Sequence, residues 1–500
     1  MKIHSSGKIS VIDVPKGNML LEALRLRGFE VISPCGGVGT CGKCKVNVKD
    51  GGFVSSCLCP VEEDMEIVLP EPSESLVLAN QYIHSRSVEL SPGNVVGLSS
   101  NPFGVAIDVG TTTLVFQLVE LSTGSLLETQ TALNPQAKYG ADVITRISYC
   151  VSHPEGVETL QSEILAKLDE ILVHFYKKYG FAPNDIVKIC VSGNTTMLHL
   201  FLGVNPESLA YVPFTPVFTE QRILKASSLN IRCHPDGELK LLPSLSSYVG
   251  ADIVAGIASL APVKEHSYLL FVDVGTNGEM ALITPDTIYC CATAAGPAFE
   301  GANITCGMGS LTGAINIYNG PDDYKTIGNA KPAGICGSGL IDLVSSLLNT
   351  GVINVNGYLD KNFVVVSAGE SGISEDIYVT PKDIREIQLA KSAIAAGINI
   401  LVQQAGISME DVDTLYIAGG FGNHIRTESA VSTGLIPREL SERVIPVGNT
   451  SVTGATLAVT SQFFDMDVRN ILSRMKYFDL SEVENFMMEF AMNMEFPDPA

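Results

Sequence analysis

Apolar and polar positions alternate in short runs along most of this chain, and one pattern occurs twice. Phe103-Gly104-Val105-Ala106-Ile107-Asp108-Val109-Gly110-Thr111-Thr112-Thr113 is an apolar run, then Asp, then a Gly-Thr turn, with polar residues leading into a second apolar run. Leu269-Leu270-Phe271-Val272-Asp273-Val274-Gly275-Thr276-Asn277-Gly278-Glu279 repeats it almost unchanged. Unbroken apolar runs predict buried strands, and the Gly between them predicts a tight hairpin. Two such hairpins predict two related lobes facing one ligand.

Other segments fill in around them. Ser125 to Leu133 predicts a third strand, and Gly156 to Tyr179 an amphipathic helix with Leu160, Ile164, Leu168 and Ile171 at helical spacing. Ile186 to Val191 predicts a buried strand ending in Ser192-Gly193-Asn194-Thr195-Thr196, which opens a helix over Met197 to Leu202. Residues 205–242 read as loop-rich, and Tyr248 to Leu260 as a helix. Pro381 to Gly406 predicts a long Ala-rich helix of the kind that lies between lobes. Thr414 to Ala418 predicts a strand delivering Gly419-Gly420-Phe421-Gly422. Val447-Gly448-Asn449-Thr450 then repeats the strand–turn–helix design, with a helix over Ser451 to Thr460. The tail, Met466 to Phe496, predicts two Met- and Phe-rich helical segments that fill the core.

The hairpins carry candidate chemistry. Gly110 and Gly275 let the backbone turn and approach a ligand. The groups that follow (Thr111 and Thr112 in one copy, Thr276, Asn277 and Gly278 in the other) can cradle phosphate oxygens. Asp108 and Asp273, at the strand ends, can hold Mg²⁺ directly or through water. Asp273 and Glu279 are the candidate catalytic carboxylates, with Glu279 orienting an attacking water or binding Mg²⁺ through one. Glu300, in Gly296-Pro-Ala-Phe-Glu-Gly301, is a weaker second carboxylate candidate. Asn194 and Thr195 sit at a helix start, a place for phosphate oxygens or a nucleophilic water, or else a plain N-cap. Gly419, Gly420 and Gly422 would let an adenine or ribose lie against the backbone.

Composition narrows the partners. The 500 residues carry a net charge of −22, which disfavours nucleic acid and anionic membranes. Met1-Lys2-Ile3-His4 leads into short alternating segments without a signal-peptide pattern, and no apolar run reaches transmembrane length. Twelve Cys then suggest reduced thiols or metal ligands, and a cytoplasmic protein.

Most of that Cys chemistry is concentrated early. Ile3 to Val14 predicts two short strands around Ser6-Gly7, followed by a helix over Asn18 to Arg27 and a strand over Lys45 to Val48. Between them stands Cys35-x5-Cys41-x2-Cys44, and twelve residues further on Cys57. Three thiolates on a Gly-rich loop plus one distal Cys suit a 2Fe–2S cluster, whose sulfurs need inward-turned backbone N–H groups. Structural zinc is the alternative, although only one of the usual two CxxC knuckles is present. Cys59 could replace Cys57, which follows a strand-like return at Phe53 to Ser56. The seven later Cys, from Cys150 to Cys336, form no evident ligand set and read as core thiols.

The expected organisation is a 2Fe–2S ferredoxin-type domain over residues 1–70, a linker over 71–101, a first lobe over 102–262, and a second lobe with C-terminal helices over 263–500. The linker, rich in Pro and Ser, is either a tether or a packed extended segment, with a short strand at Ser75 to Ala79.

The N-terminal Cys pattern resembles the 2Fe–2S ferredoxin-type β-grasp domain. Asp108-Val-Gly-Thr-Thr, Asp273-Val-Gly-Thr and Gly419-Gly420-Phe421-Gly422 resemble, in order, the two phosphate motifs and the adenosine motif of actin, Hsp70 and sugar kinases. Asn134-Pro-Gln, Gly140-Ala-Asp142-Val-Ile-Thr-Arg146, Ser192-Gly-Asn-Thr-Thr, Asp273-Val-Gly-Thr-Asn-Gly-Glu279 and Gly296-Pro-Ala-Phe-Glu-Gly301 are similar to the reductive activators of corrinoid proteins. The resemblance implies an α/β chain, a β-grasp ferredoxin-like domain followed by a two-lobed ATPase fold, usually as a homodimer. It implies that ATP with Mg²⁺ drives an electron from the cluster, replenished by a low-potential donor, to the Co(II) corrinoid of a partner protein. The alternatives are a redox-regulated metabolite kinase and a nucleotide-binding regulator without turnover.

Overall fold

The computed structural model describes residues 1–5, 8–27, 29, 31, 44–49, 52–62, 65–69, 89–260, 267–275, 277–419 and 425–498. The N-terminal part is a five-stranded sheet, ordered Lys8–Val11, Lys2–Ser5, Glu66–Val68, Lys45–Val48, Gly52–Ser55. Its first strand pairs parallel to Glu66–Val68 and antiparallel to Lys8–Val11. The helix Leu20–Leu26 lays Leu20, Leu21 and Leu24 into the same small core as Ile3, Val46 and Ile67. That is the β-grasp arrangement.

Two six-stranded sheets, each built around one Asp hairpin, organise the rest, alongside a three-stranded and a two-stranded sheet. In the first, Phe103–Val109, Thr113–Glu120 and Ser125–Leu133 form an antiparallel meander, and Ile186–Gly193 adds parallel to Phe103–Val109. In the second, Leu269–Val274, Gly278–Ile283 and Ile288–Thr293 form the meander, and Thr414–Ala418 adds parallel to Leu269–Val274. Register places Asp108 beside Ser192 and Asp273 beside Ala418. Each strand-end carboxylate therefore sits next to the turn that ends the neighbouring parallel strand, because strands in register end together.

The lobes interlock through two helices. Ala251–Ser259 follows the first sheet in sequence, yet Gly256 lies against Phe271 of the second. Thr450–Thr460 comes near the chain's end, yet Val459 fills the space over Gly104 of the first sheet, and Thr456 bonds Gln117 at 2.6 Å. The helices cross at Gly454, where an added Cβ would lie 2.6 Å from the Ala255 carbonyl oxygen, so only Gly permits this approach.

Several elements differ from the expectations. Within 205–242 the strands Arg222–Lys225 and Glu238–Leu241 form, and the second joins the first sheet beside Ile186–Gly193. Lys240 hides this strand from pattern reading: it is buried and answered by Asp465 at 2.8 Å, a partner far along the chain. The Ala-rich helix, Pro381–Ala405, does not lie between the lobes but packs on the outer meander of the second sheet. In the tail, Phe464, Met475 and Phe496 are core, while Met466, Met487, Met488 and Met492 are more than half exposed, so the Met side chains largely leave it. Within residues 89–101, Ser91 bonds to Thr460 and Gln462 and Ser99 bonds to Asp185, whereas the strand expected at Ser75 to Ala79 lies outside the described residues. No helix among the described residues is long and apolar enough to cross a membrane.

Candidate functional site

Asp108 is buried where the first sheet meets the crossing helix Thr450–Thr460. Its Oδ2 accepts from Asn449 Nδ2 at 2.7 Å, and its Oδ1 accepts from Ser451 Oγ at 2.7 Å. Ser451 is also 2.9 Å from Ser192 Oγ. Both donors sit at the start of the crossing helix Thr450–Thr460, whose N-cap is Asn449. The same turn design recurs at Gly193-Asn194-Thr195. There Asn194 caps its helix through Met197 N at 2.9 Å and donates to Thr111 Oγ1 at 3.0 Å. Asn194 therefore caps its helix and also grips the hairpin loop. Thr195 turns its hydroxyl to the Ser246 carbonyl at 2.6 Å.

The first hairpin loop is braced from behind. Asn134 Nδ2 donates to Gly110 O at 2.8 Å, and the Asn134 amide donates to Thr112 O at 2.8 Å. Arg146 is fully buried and donates to the carbonyls of Thr111 at 2.5 Å and Gly140 at 2.9 Å, and to Gln136 Oε1 at 3.1 Å. Burial pushes its guanidinium down to about 9, against the pull of Asp142 and Glu300. Thr112 Oγ1 reaches across the cleft to Glu300 Oε2 at 2.7 Å, so the weaker carboxylate candidate also faces the site.

Around the second hairpin, acids crowd together. Burial, with the charge of Asp108 second, pushes Asp273 up to about 7. Asp252 is pushed up to about 8 by burial and then by Asp273 and Asp108. Glu279 stands well above the ordinary carboxylate range through burial, then Asp252 and Asp273, with Asn277 Nδ2 only 3.4 Å away in partial relief. Asp108 is raised by burial and lowered by its bonds to Asn449 and Ser451. Ionising Asp252, Asp273 and Glu279 beside Asp108 is opposed by burial and by mutual repulsion, and a cation placed among them would favour the charged forms. Among the described residues no three His, Cys, Asp or Glu converge tightly enough to hold a metal by themselves. Mg²⁺ shared with phosphates and water asks for no more than one or two carboxylates.

Gly275 closes the second loop, its amide bonded to Asn277 O at 3.0 Å, and Gly278 pairs with Thr293. Gly419 has φ +89°, and an added Cβ would lie 2.6 Å from Asp273 Oδ1. Its smallness therefore seats the Thr414–Ala418 strand end against the second hairpin. Thr276, Gly420 and Gly422 lie outside the described residues. Sequence reasoning missed Asp252, Asn449 and Ser451. A signal for the first existed: Gly250-Ala-Asp252-Ile-Val repeats Gly140-Ala-Asp142-Val-Ile. For the other two, Gly448-Asn449-Thr450 repeats Gly193-Asn194-Thr195.

In the N-terminal domain Cys44 and Cys57 are buried with their sulfurs 3.2 Å apart, and the Cys57 amide is 3.5 Å from Cys44 Sγ. That spacing exceeds a disulfide bond, about 2.05 Å, and suits two thiolates on one cluster with an amide aimed at sulfur. Cys59 is half-exposed and turns to Pro60 O at 3.7 Å, away from this pair. Cys35 and Cys41 lie outside the described residues. Cys150, Cys190, Cys233, Cys290, Cys291 and Cys336 are buried, in keeping with core thiols, whereas Cys306 departs from that reading and is partly exposed.

Known proteins match along the whole length. Residues 3–69 match a 2Fe–2S iron–sulfur cluster binding domain, residues 103–261 the RACo middle region, and residues 267–500 the C-terminal domain of RACo, the ASKHA domain. The corrinoid activation enzyme RamQ of Eubacterium limosum is 31% identical over 97% of this chain and 98% of its own. The [Co(II) methylated amine-specific corrinoid protein] reductase of Methanosarcina barkeri is 26% identical over 70% of this chain and 68% of its own. A solved structure described as a reductive activator for corrinoid,iron-sulfur protein superposes with a TM-score of 0.74 at 30% identity, covering 99% of this chain and 98% of that one.

Proposed function

The chain belongs to the RACo family of corrinoid activators, in which a 2Fe–2S domain and an ASKHA ATPase share one polypeptide, and on that basis we propose how its residues perform the reaction. It is an ATP-dependent reductive activator acting on a corrinoid protein. In our reading Mg²⁺–ATP occupies the cleft. The loops at Gly110–Thr112 and Gly275–Gly278 take its phosphates, and Gly419, Gly420 and Gly422 take the adenosine. Asp108 and Asp273 hold the cation, and Asp273 and Glu279 orient the attacking water. Thr112 and Glu300 close the cleft from opposite sides.

Cys35, Cys41, Cys44 and Cys57 would hold the cluster. When bound, a 2Fe–2S cluster supplies a one-electron donor, at about −400 mV for plant-type ferredoxins. Lowering Co(II) to Co(I) from such a potential is uphill, and each 59 mV of gap costs about tenfold in equilibrium. The nucleotide offsets this only if ATP and the acceptor protein favour the same closed state. A low-potential donor would replenish the electron, and the active form would be a homodimer.

The observation that carries this reading is that the two Asp hairpins face each other: Thr112 of the first donates to Glu300, which lies against Gly275 of the second, and the charge of Asp108 helps raise Asp273, in a chain that also carries the iron–sulfur domain. The test is anaerobic. Cluster-loaded protein, a Co(II) corrinoid protein, a chemical reductant and ATP should give the Co(I) absorption band, and omission of ATP should abolish it. Phosphoryl transfer to a small metabolite with no Co(I) would overturn the reading. In the same preparation Cys44→Ser and Cys57→Ser should lose the visible cluster absorption and iron, whereas Cys59→Ser should keep both.

A further inference from the structure

The segment that leads from the iron–sulfur domain into the ATPase is fastened at three points. Ser91 forms an isolated bridge with Ser461: its amide donates to Thr460 O at 3.0 Å, and its carbonyl accepts from the Gln462 amide at 2.8 Å. The Gln462 side chain adds a bond to Ser91 Oγ at 3.2 Å and covers Gly93. Lys188 Nζ, buried in the first sheet, donates to Pro92 O at 3.2 Å. Ser99 Oγ donates to Asp185 Oδ1 at 2.6 Å.

These fastenings share one feature. Thr460 and Gln462 are at the far end of the helix that begins with Asn449 and Ser451. Asp185 and Lys188 are at the far end of the strand that finishes at Ser192 and Gly193. The near ends of both elements meet at Asp108, through Asn449, Ser451 and the Ser451–Ser192 contact. A rigid helix of 11 residues, about 16 Å long, transmits displacement of one end to the other. It also crosses Ala251–Ser259 in close contact at Gly454.

We propose that Asn449 and Ser451 are positioning residues that report the occupancy of Asp108 to the iron–sulfur domain, by way of the helix Thr450–Thr460 and its grip on Ser91. This rests on the assignment of Asp108 to the nucleotide's cation. A cation competing for the Asp108 oxygens draws on the lone pairs that now accept from Asn449 and Ser451. The helix start then shifts, and the root of the linker shifts with its end. On this proposal the iron–sulfur domain, which precedes Ser91 in the chain, is presented differently in the nucleotide-bound and nucleotide-free states. Coupling of this kind needs no contact between the cluster and the nucleotide, only one element whose two ends are both held.

The experiment uses the full chain with its cluster. Hydrogen–deuterium exchange at the amides of Ser91 and Gln462, measured with and without a non-hydrolysable ATP analogue and Mg²⁺, should change by at least about fivefold, the low end of ordinary coupling between sites. Ser451→Ala should abolish that change. Gln462→Ala, and more severely Ser91→Pro, should leave ATP hydrolysis unchanged while ATP-dependent Co(I) formation falls by at least about fivefold. Unaltered exchange at Ser91 and Gln462 on nucleotide binding, or Gln462→Ala and Ser91→Pro proteins that couple as well as the wild type, would overturn the proposal. Failure of the wild type itself to form Co(I) would instead count against the activator reading. The exchange measurement remains decisive in that case, since it requires nucleotide binding alone.

Discussion

The two Asp-Val-Gly-Thr hairpins are close copies in sequence and opposites in environment. Asp108 is 8% exposed, and both of its oxygens are already bonded, to residues more than 300 positions away. Its loop is tied to Asn134, Arg146 and Asn194, so the first hairpin is held in place before any ligand arrives. Asp273 instead faces Asp108, Asp252 and Glu279, and the group as a whole is raised in pKa. The difference teaches a division of labour. A hydrogen-bonded carboxylate fixes geometry, whereas a carboxylate crowded by like charges holds its proton to higher pH until a cation favours the charged form. One motif, duplicated, has become a fixed anchor in one lobe and a charge sensor in the other.

The largest expected effect comes from breaking the sensor. Asp273→Asn keeps the shape and removes the charge, and ATP hydrolysis should fall by about 10²- to 10³-fold in steady-state assays. A fall smaller than about tenfold would assign the cation to the Asp108 side alone.

A middle-sized effect tests the charge crowding itself. Without nucleotide, Asp252 and Asp273 hold protons up to about pH 8 and 7 that the unfolded chain releases near pH 4. The folded state therefore binds more protons than the unfolded state over that window, and stability falls as pH rises through it. The thermal midpoint of the nucleotide-free protein should drop between pH 6 and pH 8, and Asp252→Asn should flatten the drop. Mg²⁺–nucleotide affinity, which needs the charged forms, should rise over the same range by calorimetry. A pH-independent midpoint would show that the acids are already ionised and separated by water.

The smallest effect lies on the anchored side. Asn194→Ala removes a helix cap and the bond to Thr111 and should cost about 1 kcal/mol in denaturant unfolding. Because Asn134 and Arg146 still hold the loop, nucleotide affinity should change less than with Asp273→Asn. An equal loss in both would erase the contrast between the hairpins.

Sequence alone determined the local units. The apolar runs before Asp108 and Asp273 specify strands because only buried strands hide so many consecutive apolar side chains, and the Gly-Thr turns specify where they reverse. The helices Gly156–Tyr179 and Pro381–Ala405 end where Gly180 and Gly406 adopt the left-handed backbone that Gly accepts without strain. The Cys spacing reported the cluster domain for the same local reason. Tertiary structure decided everything that depends on which distant polar groups share a buried space. Asn449 and Ser451 look like ordinary helix-start residues until the fold carries them to Asp108. Lys240 reads as an exposed position until Asp465 makes its burial affordable, and the strand around it goes unseen. Asp252 reads as a helix-terminal acid until Asp108 and Asp273 face it. Hydrophobic periodicity records which face of each element is covered, but carries no information on what covers it. The meeting of buried charges is a property of topology, and it is where this protein keeps its chemistry.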